Sequence, residues 1–157
     1  MSTLATYKRI LVPLDGSGFA EVAIPHAAEI AKRMGATLVL LRIVPPITAL
    51  LPTDSLTLPK LDTLEERVLE EAETYLRARA GVLRAEGLAV EAFVMQNSIP
   101  ALGILNAITS KNIDLVVMST HGRSGLGQWM FGSVAAKVLR NSPVPVLLIR
   151  STEANSS

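Results

Sequence analysis

Four stretches of the chain are apolar almost without a break: Arg9–Asp15 (RILVPLD), Thr37–Val44 (TLVLLRIV), Ile113–Ser119 (IDLVVMS) and Val144–Arg150 (VPVLLIR). A strand with one wet face alternates apolar and polar residues, so a strand without alternation is covered on both faces. None of these runs approaches the about 20 apolar residues of a bilayer span. They are strands of a buried sheet, and the segments between them carry the periodicity of helices. Strand and helix alternate along the whole chain, which predicts a parallel sheet with helices on both faces and right-handed crossovers.

The connections sharpen this reading. After the first strand, Asp15-Gly16-Ser17-Gly18 is a turn. Phe19–Met34 then places Val22, Ala23, Ala27, Ile30 and Ala31 at helical spacing, and Gly35 stands where a helix C-terminal glycine belongs. Pro45–Leu61 holds four prolines in 17 residues and reads as a long connection. A helix is expected from the capping-box pair Thr63/Glu66 to Gly87, its many glutamates forming a solvated face. Leu88–Met95 is the remaining strand. Ser98 is expected to cap a helix that has Pro100 in its first turn and runs to about Lys111. Ser133–Asn141 reads as a last short helix. The expected architecture is an open five-stranded parallel α/β sheet, Rossmann-like, with strand order 3-2-1-4-5. Residues 1–150 form one domain, followed by a frayed polar tail, 151–157.

Composition narrows the function. Fifteen basic and 14 acidic residues leave a net charge of +1 with no basic block, and aromatic residues make up 4% of the chain. Neither a phosphate-backbone footprint nor a base-stacking platform is present, so nucleic acid is not an expected partner. No membrane association is expected either, and the N-terminus lacks the pattern of a secretory signal. The chain has no cysteine, which excludes disulfides and thiolate metal sites and suits a reducing cytoplasm. Its two histidines, His26 and His121, belong to separate elements. They assemble no catalytic triad or metal cluster. His26 is expected to be structural or exposed, and His121 to make local loop hydrogen bonds.

The segment HGRSGLGQWMFGSVAAKV, residues 121–138, contains four glycines between the fourth strand and the last helix. Glycines bare the backbone N–H groups, and a helix N-terminus carries partial positive charge, which together suit a phosphate. In open α/β sheets the ligand crevice lies beyond the strand ends where strand order reverses. The ends of the first and fourth strands would meet there. Asp15 could accept from ribose hydroxyls or simply stabilise its turn. Ser133 could donate to a phosphate, cap its helix, or both. Standard fingerprints fail. Gly127-x4-Gly132-Ser133 lacks the P-loop lysine, and Gly16-Ser-Gly18-Phe-Ala-Glu21 has an acid where the third small residue of a dinucleotide site belongs.

From Tyr7 to Arg150 the chain resembles a single-domain universal stress protein of the nucleotide-binding branch. The resemblance rests on ILVPLDGS, LLRIVPP and DLVVMSTHGRSGLGQWMFGSVAAKVLRNSPVPVLLIR. The branch carries Gly, two residues, Gly, nine residues, Gly and then Ser or Thr; here Ser119-x2-Gly122-x9-Gly132-Ser133 matches all but the first glycine. The resemblance implies bound ATP, with or without Mg²⁺. Adenine would meet the backbone at Ile43, near Pro13 and Met118, and ribose would meet Asp15 and Ser119. The phosphates would rest on Gly122, Gly132, Ser133 and Val134, with Arg123 as a further contact. Ser119, standing where the family has glycine, would either crowd the sugar or hydrogen-bond to it. Trp129, Met130 and Phe131 would plug the space beneath the loop or meet a partner.

The fifth strand, 144–150, would lie at a sheet edge. An exposed apolar edge invites pairing, here with its twin about a two-fold axis, and the family resemblance implies the same homodimer. The leading function is an ATP-binding regulator of stress physiology with no assigned catalytic residue. The alternatives are a slow ATPase and a non-nucleotide interaction module that uses the proline-rich 45–61 loop.

Overall fold

The parallel sheet forms in the expected order. In the computed structural model, which describes residues 4–51, 58–121 and 132–151, the strands are β1 (Arg9–Leu14), β2 (Thr37–Val44), β3 (Val90–Gln96), β4 (Leu115–Ser119) and β5 (Val146–Ile149). They lie in the order β3-β2-β1-β4-β5, every neighbouring pair parallel. Successive side chains point to opposite faces. Ile10, Val12, Leu38 and Leu40 therefore pack on one side with Ala27 and Leu76, and Leu11, Val39 and Leu41 on the other with Ile104 and Val138. The first face is covered by α1 (Gly18–Glu21), α2 (Ala23–Met34) and α3 (Leu58–Ala85). The second is covered by α4 (Pro100–Ser110) and α5 (Ser133–Asn141). Continuous apolarity in β1, β2 and β4 is thus the signature of this double burial.

Several boundaries depart from the sequence expectation for local reasons. The helix expected over 19–34 is two helices parting at Val22. Pro25 has no N–H for the carbonyl of Glu21 and is tolerated only in a first turn. Gly35 does end α2, at φ 64° in the left-handed region. The long connection is shorter than 17 residues. It contains a 3₁₀ turn at Ile47–Ala49, and α3 already begins at Leu58. Thr63 and Glu66 are interior to that helix, because Pro59 costs nothing in a first turn where N–H groups have no intrahelical acceptor. Ser98 does not cap α4: the N-cap is Ile99, with no side-chain cap bond, and Asn97 Oδ1 accepts from the Ile99 N–H at 2.9 Å in the turn just before the helix.

At the N-terminal edge of the sheet, Arg9 makes a forked contact to both carboxylate oxygens of Glu91 (2.9 and 2.7 Å) and donates from Nε to the Lys111 carbonyl (2.7 Å). Asp114 accepts from the Lys8 and Arg9 N–H groups. These bonds tie β1 to β3 and to the α4–β4 turn. The hydrogen bonds from Arg9 hold the Glu91 carboxyl below its ordinary value of 4.5. A carboxylate with a depressed folded value adds stability that is present above its unfolded value and lost as pH falls through the folded one. The stability advantage of the native chain over Glu91→Gln is therefore expected at neutral pH and should shrink below about pH 4.5, as read from urea denaturation at several pH values. The Glu91 side chain is half exposed, so the advantage is small.

Candidate functional site

β1 and β4 are registered only at Ile10↔Leu115 and Leu11↔Val116, whereas β1 and β2 pair over six residues. Beyond Leu11 and Val116 a cavity of about 500 Å³ opens at the C-terminal ends of the strands. Pro13 and Asp15 reach it from β1, Ile43 from β2, and Met118 and Ser119 from β4. Gly132, Ser133 and Val134 line it from the start of α5. Gly122 and Arg123 lie outside the described residues, as do Trp129, Met130 and Phe131.

The N-terminus of α5 is built to present donors. Gly132 is the N-cap and Ser133 the first helical residue, so the serine does not cap the helix. The Gly132 N–H bonds to the Thr120 carbonyl at 2.8 Å, fastening the helix to the end of β4. A Cβ at Gly132 would stand 3.2 Å from that same oxygen, closer than side chains ordinarily come. The first intrahelical bond runs from the Ala136 N–H to the Gly132 carbonyl. Among the described residues nothing accepts from the N–H groups of Ser133, Val134 and Ala135, and all three residues line the cavity. Three donors with no acceptor among the described residues, at the positive end of a helix, make an anion cradle.

The opposite wall is a tight turn. Asp15 Oδ1 accepts from the Ser17 N–H (2.9 Å) and Oγ–H (2.6 Å), and Ser17 Oγ accepts in turn from the Ala20 N–H (3.3 Å) at the start of α1. Gly16 carries φ 86°, where a side chain would be strained. Ser119 is buried, and its hydroxyl is already engaged. It donates to the His121 carbonyl (2.8 Å), accepts from the His121 N–H (3.2 Å), and lies 3.1 Å from Ser151 Oγ. His121 Nδ1 is 3.0 Å from Thr120 Oγ1, a local contact of the kind expected, and His26 is exposed on α2.

Two features of the cavity escape a reading of the sequence. Gly103 in α4 lies against the end of β2: a Cβ there would come within 2.6 Å of Ile43 Cδ1 and 3.3 Å of Asn97 Cβ. The bare backbone lets α4 seat Ile43, although the two residues are far apart in the chain. Arg42 also lines the cavity at 8% exposure. Its one signal in the sequence is a charge inside an otherwise apolar strand. Its guanidinium carbon sits 5.2 Å from the centroid of the Tyr75 ring. Burial, and then the hydrogen bond to Glu21, raise the Tyr75 hydroxyl well above its ordinary value, so it remains a donor.

An open parallel α/β domain with a crevice where strand order reverses defines a class of ligand-binding domains. Within that class the chain belongs to the universal stress protein family, whose model matches residues 6–150. A universal stress protein of Thermus aquaticus is 33% identical over 144 residues, covering 92% of this chain and 99% of its own. The solved structure of hypothetical protein MJ0577 superposes with a TM-score of 0.82 at 25% identity, covering 95% of this chain and 99% of its own. Two universal stress protein structures at 21% identity share the fold. One is in complex with cAMP (TM-score 0.67, covering 94% of this chain and 100% of its own), and the other, from Archaeoglobus fulgidus, is in complex with dAMP (TM-score 0.60, 92% and 99%).

Gly103→Ala is expected to force the Ile43 side chain out of its seat and to cost about 1–3 kcal/mol, the usual range for overpacking. Thermal denaturation and the Ile43 methyl resonance together check this: an unmoved methyl would contradict the contact.

Proposed function

We propose that this protein binds ATP in the crevice and acts as a regulator in the stress response, without robust catalysis. The observation that carries the reading is the trio of N–H donors at the start of α5, which have no acceptor among the described residues. They suit phosphate oxygens, with Gly122 and Arg123 completing that end. Adenine rests against the Ile43 backbone between Pro13 and Met118, and ribose meets Asp15. Ser119 offers the sugar its Cβ and no free hydrogen, since its hydroxyl bonds within the β4 turn. Universal stress protein structures in complex with cAMP and with dAMP support a nucleotide as the ligand. Mg²⁺ accompanies ATP as the counter-ion of the phosphates, and the regulatory role follows from family membership. We place the protein in the cytoplasm as a homodimer. β5 is one of the sheet's two outer strands and exposes Leu147, and pairing with its twin would satisfy its edge.

Three outcomes check this reading. Protein purified without added nucleotide, then denatured, should release ATP on ion-exchange chromatography. ADP would point to hydrolysis, and no nucleotide together with no response to Mg-ATP in titration would overturn the site. Ser133→Asp should leave the fold intact, since an acid in a first helical turn is favourable by about 0.3–1 kcal/mol. It should weaken ATP binding at least about tenfold, roughly 1.4 kcal/mol, by setting a carboxylate among the phosphates. Leu147→Lys should give a monomer by light scattering if β5 is the interface; an unchanged dimer would place the interface elsewhere.

A further inference from the structure

The cavity is lined from both faces of the sheet. Ile43, Ile104, Met118 and Ala135 belong to the α4–α5 side. Leu14 and Ala20 belong to the α1–α3 side, and Arg42 stands beside Leu14 in register, with Val68 of α3 and Leu50 completing that side. The nucleotide reading leaves this second side without an occupant.

Arg42 is the reason to give it one. The residue is more than nine-tenths buried, yet among the described residues no carboxylate, carbonyl or hydroxyl accepts from it. Its one partner among the described residues is the face of Tyr75. That ring is held in place because Tyr75 donates to Glu21 Oε1 at 2.7 Å. The same Glu21 oxygen lies 3.1 Å from Arg79 Nε, and Arg79 also approaches the ring. That carboxylate is therefore engaged by Tyr75 and Arg79. Asp15, the acidic residue lining the cavity, makes no ion pair with Arg42; Ser17 occupies its Oδ1. A ring face offsets only part of what it costs to withdraw a cation from water. No described side-chain nitrogen is both sealed from solvent and without a partner. The Arg42 nitrogens therefore keep some contact with open space, and Arg42 is one of the residues that line the cavity.

We propose that Arg42 forms a second anion subsite, which takes a carboxylate or phosphoryl group through its planar fork of N–H donors. Ala20, Leu50 and Val68 make its walls apolar, which suits an oxyanion carried on a nonpolar stem. The α5 cradle follows β4, two strand spacings or roughly 10 Å from β2. One oxyanion does not serve both ends. The subsite shares the cavity with the nucleotide reading but does not depend on it.

The test uses the full chain and the Nε–Hε resonance of Arg42, assigned by its loss in Arg42→Lys. Inorganic phosphate and sodium acetate are titrated separately at constant ionic strength and neutral pH. The expected result is a saturable shift with a midpoint on the order of 1 mM, unchanged in Ser133→Asp, where the α5 cradle is blocked. Saturation by phosphate alone assigns a phosphoryl group, and by acetate alone a carboxylate. A shift that only drifts with concentration overturns the subsite. So does a saturable shift that disappears in Ser133→Asp, because Arg42 would then be sensing an anion bound at α5. Failure of the native chain to bind ATP would leave the Arg42 response intact, so the two readings fail separately.

Discussion

A proline in a central strand sets the shape of this molecule. Pro13 has no N–H to give to a ladder, and the β1–β4 pairing has ended two residues before it, at Leu11↔Val116. On its other side Pro13 still stands in register with Leu41 of β2. Strands that part normally strand backbone donors, which is costly when they are buried. A proline at the parting removes one such donor in advance. The sheet can therefore open between β1 and β4 while remaining closed between β1 and β2, and the crevice lies on the open side.

The two ends of the sheet are treated differently. At the N-terminal ends of the strands, Arg9, Glu91, Asp114 and the Lys111 carbonyl satisfy one another in a closed network. At the C-terminal ends, polar groups face a cavity. Asp15 and Ser119 hold turns, the first turn of α5 presents donors, and Arg42 rests on an aromatic face. The polarity of a parallel sheet makes this division natural: every helix start and every strand end falls on the same side.

Much of this was legible in the chain. Uninterrupted apolarity in RILVPLD, TLVLLRIV and IDLVVMS announced strands buried on both faces, and Gly35 announced a left-handed helix end. Strand order and the placing of Asp15, Ile43, Met118 and Ser133 around one opening followed from the family pattern. What escaped was decided by tertiary contact. The capping-box letters at Thr63 and Glu66 were outweighed by an earlier start at Leu58, and the cap expected of Ser98 fell to Ile99, which offers no side-chain bond. Arg42 shows only as a charge in an apolar strand, because its stacking partner Tyr75 comes from the distant helix α3. The demand for a bare backbone at Gly103 arises only where α4 meets Ile43. Local letters do not carry such pairings.

The hydrogen bond between Ser119 and Ser151 links the floor of the crevice to the point where the chain leaves β5. Whatever is attached beyond Ser151 begins one hydrogen bond from the opening. A fusion partner joined directly at Ser151 would therefore start at the rim. The N-terminal side, entering β1 at the opposite end of the strands, leaves the opening clear.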